Sequence, residues 1–315
     1  MKAFAIDRFG SEGRVRDLPQ PQLDLDSVLV RVRVAGINPI DWKIRDGKAG
    51  GRTFPLVLGQ DFAGVVEQVG SQVTRVKAGD RVFGCARAHG AYAEETAVPD
   101  HEQASPFALI PDGLSDAVAA ALPTPALTAL ASLSALGVGK DTTLLVVGAA
   151  GAVGTAAVQM ARLRGARVSA YVRSEQEAEL RSLGADEAIS SERDDVLGSV
   201  QAQHPEPFDV ILDLISDGET LKRNAPLLRQ GGRLVTTIHV ADEKWFGDRG
   251  LTAINIVMNE TPQSSPEGLN EVAKLAADGK LRVDVAGERA LAEAGRTLDE
   301  GKAGKLSGKM LLRIT

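Results

Sequence analysis

Along the first third of the chain, apolar and polar positions alternate in short bursts separated by glycine. Val28, Val30, Val32 and Val34 share one face of an extended segment, and Leu29, Arg31 and Arg33 share the other. That period of two is the pattern of a half-buried strand. Gly64 to Gly70, Asp80 to Gly84 and Gly90 to Val98 read as further short strands between glycine turns. Many short strands with turn signals predict a small, partly open β-barrel.

Near residue 115 the period changes. Leu144 to Val147 reads as a buried strand and Val153 to Leu163 as a helix. Strand Arg167 to Val172, helix Glu175 to Leu183, strand Asp209 to Ile215, helix Gly218 to Leu228 and strand Arg233 to Ile238 follow. Regular strand–helix alternation predicts an α/β fold with a doubly wound parallel sheet. Pro266 to Gly279 is helical and Lys309 to Ile314 is a closing strand, expected to rejoin the barrel. The division is therefore 1–118 with 266–315 for the barrel and 119–265 for the parallel sheet, with no linker between them.

A length of 315 residues suits two domains. The net charge of −6 gives nucleic acid and anionic membranes no electrostatic hold. The one cysteine, Cys85, cannot form an internal disulfide, which fits a reducing cytoplasm. Met1 to Asp7 reads as a strand rather than a signal sequence. The most apolar window, Ala117 to Leu136, holds Pro123 and Pro125 and is rich in alanine, so it reads as the start of a buried helix rather than a membrane span.

The strongest chemical signal is the run from Leu144 to Gly154, LLVVGAAGAVG. A buried strand enters a tight turn and a helix follows. In this arrangement Ala149, Ala150, Gly151, Ala152, Val153 and Gly154 form the turn and helix start that hold a dinucleotide pyrophosphate. Gly151 lets backbone approach the phosphates, and Gly154 lets helix and strand pack closely. Ala149 stands where the usual pattern has its first glycine. An NAD-binding chain places an acid at the end of the next strand to bond the ribose hydroxyls. Val172 occupies that position, and Arg173 and Ser174 follow. A guanidinium without a neighbouring acid suits a 2′-phosphate, hence NADPH; Glu175, one position further on, is the residue that would favour NADH.

These residues, taken with others in the same order, resemble the quinone-oxidoreductase-like branch of the medium-chain dehydrogenase/reductase superfamily. The resemblance spans Ala35 to Gly47 (AGINPIDWKIRDG), Phe54 to Val66 (FPLVLGQDFAGVV), Gly79 to Gly84 (GDRVFG) and Gly90 to Glu94 (GAYAE). It continues through Leu122 to Leu130 (LPTPALTAL), Leu183 to Asp186 (LGAD), Leu228 to Arg233 (LRQGGR) and Gly308 to Leu312 (GKMLL). It implies a GroES-like partly open barrel interrupted by a Rossmann domain, NADPH as cofactor, and a small electron-poor acceptor such as a quinone or an enone. It also implies a homodimer joined through the strand around Leu251 to Met258.

The chain departs from zinc-dependent relatives at their ligand positions. Asn38 stands where they carry Cys, Gln60-Asp61 where they carry His-Glu, and Thr124 near another Cys. His89, His101, His204 and His239 show no ligand spacing. Thiolate and imidazole hold catalytic zinc, and amide and hydroxyl replace them poorly, so no metal is expected. A second departure is the absence of a Tyr after Ile189, where Ser190 and Ser191 stand, and of a Lys in Gln176 to Glu179. Reduction of a conjugated alkene needs alignment with the nicotinamide and a hydrogen-bond donor at the carbonyl oxygen. Asn38 is the candidate donor, or else a turn residue before Pro39. Asp41 and Lys43 are the other catalytic candidates, Asp41 suited more to organising that turn than to reacting. By resemblance Lys43 and Thr128 meet the cofactor, Thr236, Thr237 and Ile238 lie under the nicotinamide, and Lys305 approaches it from the C-terminal side. Two alternatives stand beside this reading: an enoyl reductase on a carrier-bound acyl chain, and a protein that binds NADPH to signal to a partner.

Overall fold

A computed structural model describes residues 1–48, 53–87, 90–100, 105–190, 195–306 and 308–314, apart from the side chain of Ser174. His89, His101, Ser191 and the Ser174 side chain lie outside the described residues. The elements begin with β1 (Lys2–Ile6), β2 (Arg14–Asp17), β3 (Ser27–Gly36), α1 (Pro39–Arg45), β4 (Leu56–Val57), β5 (Asp61–Val69), β6 (Arg81–Cys85), β7 (Glu95–Pro99) and β8 (Phe107–Leu109). Helices α2 (Asp116–Ala121) and α3 (Pro123–Leu136) follow. Alternation then sets in with β9 (Thr143–Val147), α4 (Ala152–Leu163), β10 (Arg167–Val172), α5 (Glu177–Ser182), β11 (Glu187–Ser190) and α6 (Val196–Gln203). It continues with β12 (Phe208–Asp213), α7 (Gly218–Asn224), β13 (Leu228–Thr236), α8 (Glu243–Gly247) and β14 (Thr252–Asn255). The chain closes with α9 (Pro266–Ala277), β15 (Val285–Ala290), α10 (Ala294–Lys302) and β16 (Lys309–Arg313).

Contacts divide the chain into two compact units, Met1–Leu127 with Pro262–Thr315, and Thr128–Thr261. The sequence pattern places these boundaries at 118/119 and 265/266. The first one falls inside α3, where a helix begun at Pro123 runs on with no linker to mark the change. Among the described residues no helix is long and apolar enough to cross a membrane.

In the first unit β3 is the central strand. It pairs antiparallel with β5 along one edge, and with β7 and β16 along the other. Val28, Val30 and Val32 are buried while Arg31 and Arg33 are exposed. Leu29 is buried as well, against expectation, in a strand paired on both edges. Phe4, Ile6, Phe62, Tyr92, Phe107 and Leu312 join these valines in one apolar core. Gly64 sits opposite Val32, and a Cβ there would lie 2.2 Å from the Arg31 carbonyl oxygen. The expected strand over Gly90 to Val98 is shorter: only Glu95–Pro99 pairs with β3. The preceding backbone turns to other partners, Ala91 and Tyr92 donating to Gly59 and Leu58 while the Tyr92 carbonyl accepts from Phe4. These backbone groups are thus satisfied, though not by one ladder.

In the second unit the sheet is parallel, in the order β11-β10-β9-β12-β13-β14. Counted from β9, this is the order 3-2-1-4-5-6 of a doubly wound dinucleotide fold, whose direction of winding reverses between β9 and β12. Leu145, Val147, Phe208, Ile211, Leu234 and Phe246 build its core. The helix expected to reach Leu228 ends at Asn224, because Pro226 has no N–H to continue it and a short 3-10 turn takes over. β13 therefore starts earlier than expected, at Leu228, and ends at Thr236 rather than Ile238.

The close approach at Gly64 gives a direct check on the barrel. Gly64→Ala forces β5 away from β3, and overpacking of this kind costs roughly 1–3 kcal/mol. A lowered Tm is expected, and an unchanged Tm would show that the strands have room to part.

Candidate functional site

The second unit carries the turn read from the sequence. Buried β9 runs into Gly148, held at φ +82°. Ala149 is fully buried, so its methyl group is accommodated where a glycine is usual. Gly151 caps α4 in extended conformation, and α4 continues for twelve residues. At Gly154 a Cβ would lie 2.5 Å from the Gly148 oxygen and 2.6 Å from Ala149 Cα, so this position admits no side chain. At Gly151 the nearest atom to such a Cβ is 3.6 Å away, and Gly151 and Ala152 are exposed. The first N–H groups of α4 therefore face open space at the positive end of the helix, a cradle that fits a pyrophosphate.

The strands beside β9 bring further expected residues to the same edge. Val147 pairs in register with Asp213, and Asp213 with Thr236. Thr236 is buried, and its hydroxyl accepts from the Ile238 N–H at 3.4 Å; Thr237 and Ile238 are half-buried beyond the strand. Burial raises the Asp213 carboxyl, whose Oδ1 accepts from the Ser216 and Ile215 N–H groups at 2.8 and 3.1 Å. Asp213 carried no role in the sequence reading. Thr128 is buried in α3. Val172, where an acid would bond the ribose, is buried, and the next residue, Arg173, is exposed. Among the described residues neither Arg173 nor Glu175 has an ion-pair partner, so the guanidinium is available to an anion.

The first unit holds a buried polar cluster. Asn38 precedes α1, whose first residue is Pro39, and its N–H donates to Asp41 Oδ2 at 2.7 Å. Asp41 thus accepts from the backbone N–H at the head of the turn. Tyr92 also donates to Asp41 Oδ2, at 2.8 Å. Burial, reinforced by the nearby Asp61 charge and opposed by these two donors, pushes the Asp41 carboxyl up to about 7. The Asn38 side chain turns elsewhere: Nδ2 donates to Asp61 Oδ2 at 2.8 Å, and Oδ1 accepts from Lys309 Nζ at 2.5 Å. Asp61 is fully buried and also accepts from the Thr124 hydroxyl at 2.6 Å, from the Thr124 N–H at 3.1 Å, and from Lys309 Nζ at 3.3 Å. Cys85 Sγ lies 3.7 Å from Asp61, and burial pushes its thiol up to about 12.

This donor set does not suit zinc. Positions 38, 61 and 124 offer an amide, a carboxylate already met by several donors and a hydroxyl, Cys85 keeps its proton, and an ammonium lies among them. Lys43 is half-buried on α1, two residues past Asp41. Lys305 is exposed and lines, with Arg14, Arg45 and Arg296, a cavity of about 800 Å³ in the first unit. Lys309 and Tyr92 had no role in the sequence reading, and Asp61 and Thr124 entered it only as missing ligands. The available signal was a lone charge inside an apolar run, Asp61 in FPLVLGQDFAGVV and Lys309 before MLL, since such charges are buried only when paired.

Comparison with known proteins agrees with both halves of this description. Residues 24–111 match the alcohol dehydrogenase GroES-like domain, and residues 152–261 match the domain described as zinc-binding dehydrogenase. A 2-methylene-furan-3-one reductase of Solanum lycopersicum is 36% identical over 75% of the chain, which spans 61% of that relative's own length. A quinone oxidoreductase of Lama guanicoe is 30% identical over 85% of the chain and 79% of the relative. The solved structure of Escherichia coli quinone oxidoreductase complexed with NADPH superposes with a TM-score of 0.89 at 25% identity, covering the whole of both chains.

The buried acid makes a pH-dependent prediction. The folded-state value of Asp41, about 7, lies above its ordinary value of 3.8. The folded protein therefore keeps a proton that the unfolded chain releases, and this contribution to stability is lost as pH rises from about 4 to about 7. Asp41→Asn removes the ionisation while keeping an acceptor for Asn38 and Tyr92. Relative to the parent, the variant's Tm should rise between pH 5 and pH 8; a difference that does not vary with pH would contradict a buried neutral acid.

Proposed function

The chain belongs to the medium-chain dehydrogenase/reductase superfamily, in its quinone-oxidoreductase-like branch, and on that premise we propose that it is an NADPH-dependent reductase of quinones or α,β-unsaturated carbonyl compounds that works without zinc. The observation that carries the cofactor assignment is Arg173, exposed and without an ion-pair partner among the described residues, directly after the buried Val172. The relatives named as a quinone oxidoreductase and a furanone reductase support the acceptor class.

In this reading the α4 N-terminus, with Gly151, Ala152 and Val153, holds the pyrophosphate, and Gly154 lets the helix close on the turn. Ala149 and Ala150 complete the turn. Arg173 and Ser174 take the 2′-phosphate, while Thr128, Thr236, Thr237, Ile238, Lys43 and Lys305 supply further contacts to the cofactor. When bound, NADPH supplies the hydride. The chain's task is to orient the acceptor and to meet the charge that gathers on its carbonyl oxygen. Asn38 offers an amide N–H for that purpose, and such a donor contributes roughly 10²- to 10³-fold in rate elsewhere. A Lewis acid is not required, because charge moves onto an oxygen that hydrogen bonds can stabilise.

Two measurements test this. The first compares dissociation constants of NADPH and NADH for the parent and Arg173→Ala. One charged hydrogen bond corresponds to about 10- to 150-fold in affinity. The lower half of that range is expected, with NADH nearly unchanged; equal weakening of both would mean that Arg173 holds the loop instead, and a parent preference for NADH would assign the ribose to Glu175. The second follows NADPH oxidation with a panel of quinones, 2-alkenals and enones in the presence of a chelator. Turnover undiminished by the chelator is expected, whereas chelator-sensitive activity with about one zinc per chain would refute the metal-free assignment.

A further inference from the structure

We propose that Lys309 is the positioning residue for Asn38: from the far end of the chain it fixes which end of the Asn38 carboxamide is held inward, and so leaves one amide N–H for an acceptor oxygen. This rests on the assignment of Asn38 as donor to the acceptor. An ammonium can only donate, so the Asn38 atom 2.5 Å from Lys309 Nζ is the oxygen. A carboxylate can only accept, so the atom 2.8 Å from Asp61 Oδ2 is the nitrogen. Rotating the amide by half a turn would set donor against donor and acceptor against acceptor. All three side chains are almost fully buried, Asn38 at 3%, Asp61 at 0% and Lys309 at 4% exposure, so water cannot relieve the wrong orientation. Nδ2 carries two hydrogens and uses one on Asp61. Among the described residues the second has no partner.

Asp61 alone does not suffice for this task. The Lys309 ammonium, 3.3 Å from Asp61 Oδ2, compensates its buried charge. Without that cation the Asn38 oxygen loses its donor-only partner, and the single contact to Asp61 is left to hold the amide. Thr124 offers no replacement, because its hydroxyl is spent on Asp61 Oδ1. The fold prepares a place for the lysine stem. β16 lies beside β3, with Leu311 opposite Gly36, and a Cβ on Gly36 would come within 3.2 Å of Lys309 Cε and 3.0 Å of Asp61 Cβ. The main chain of Lys309 is held in turn by its pairing with Val285.

The test compares Lys309→Met, Lys309→Arg, Asn38→Ala and the Asn38→Ala/Lys309→Met double variant, with NADPH and either p-benzoquinone or 2-cyclohexen-1-one. Lys309→Met should lower kcat by roughly 100- to 1,000-fold, the scale of losing one oxyanion donor, with KM for NADPH within about twofold of the parent. The double variant should be no slower than the slower single variant, since both changes remove one function. Lys309→Arg, which restores a donor-only cation, should recover most of the lost rate. Additive losses, a parent-like kcat in Lys309→Met, or an arginine variant as defective as the methionine one would overturn the proposal. If Lys309→Met does not fold, Lys309→Gln replaces it with the same loss expected, because an amide can face Asn38 with either end. If the parent turns over neither acceptor, the functional reading fails by itself, and NMR decides the positioning. The Asn38 side-chain amide protons, identified by their loss in Asn38→Ala, should exchange with solvent about tenfold faster in Lys309→Met than in the parent or Lys309→Arg, as expected for loss of a charge-assisted hydrogen bond. Equal exchange in all three proteins would overturn it.

Discussion

A carboxylate closed off from water must be met by donors, and Asp61 is such a carboxylate. It draws in Asn38 from the turn before α1, Thr124 from the start of α3 and Lys309 from the last strand. These pieces lie far apart in sequence, yet the charge cannot be buried unless they meet. The first unit is therefore closed by chemistry as well as by its apolar core: β16 must lie beside β3 for the ammonium to arrive. Replacing one partner leaves an uncompensated buried charge, which is costlier than the pair is stabilising. The same demand that holds the unit together also presents Asn38 in a single orientation.

In the proposed reading the second unit meets a different constraint, since it would bind a phosphate through backbone groups. A helix start can hold an anion only if its N–H groups are free and nothing stands over them. The turn provides this by omitting side chains at two places for two reasons. Gly154 has no room for one, while Gly151 has room that a pyrophosphate would use. Ala149 shows which glycine of the usual pattern is dispensable, because its methyl group packs into the interior instead of toward the anion. In the proposed reading, selectivity between the two dinucleotides would rest on the end of β10, where an apolar residue and a guanidinium without an ion-pair partner among the described residues stand in place of a carboxylate.

How much of this was legible in the sequence depends on range. The turn at Gly148 to Gly154 is a local object, since strand, glycines and helix are adjacent, and the pattern places it within a residue of where it lies. The alternation in Val28 to Val34 is equally local, although Leu29 shows that a strand paired on both edges can bury its second face. The contacts of Asn38 were not legible. Asn before Pro reads as a turn and the capping bond from its N–H to Asp41 agrees, but the side chain is claimed by Lys309, 271 positions away. No spacing rule reaches that far. The domain boundary was hidden for another reason, because α3 crosses it as an unbroken helix.

The central claim is that hydride passes from NADPH to an electron-poor carbon without a metal. It is tested most directly with NADPH carrying deuterium at the transferable position of the nicotinamide, an enone acceptor and a chelator, with the product read by mass spectrometry and NMR. The account predicts one deuterium per product molecule, at the carbon β to the carbonyl, at a rate the chelator does not change. An unlabelled product, or turnover that stops with the chelator and returns with zinc, would contradict it.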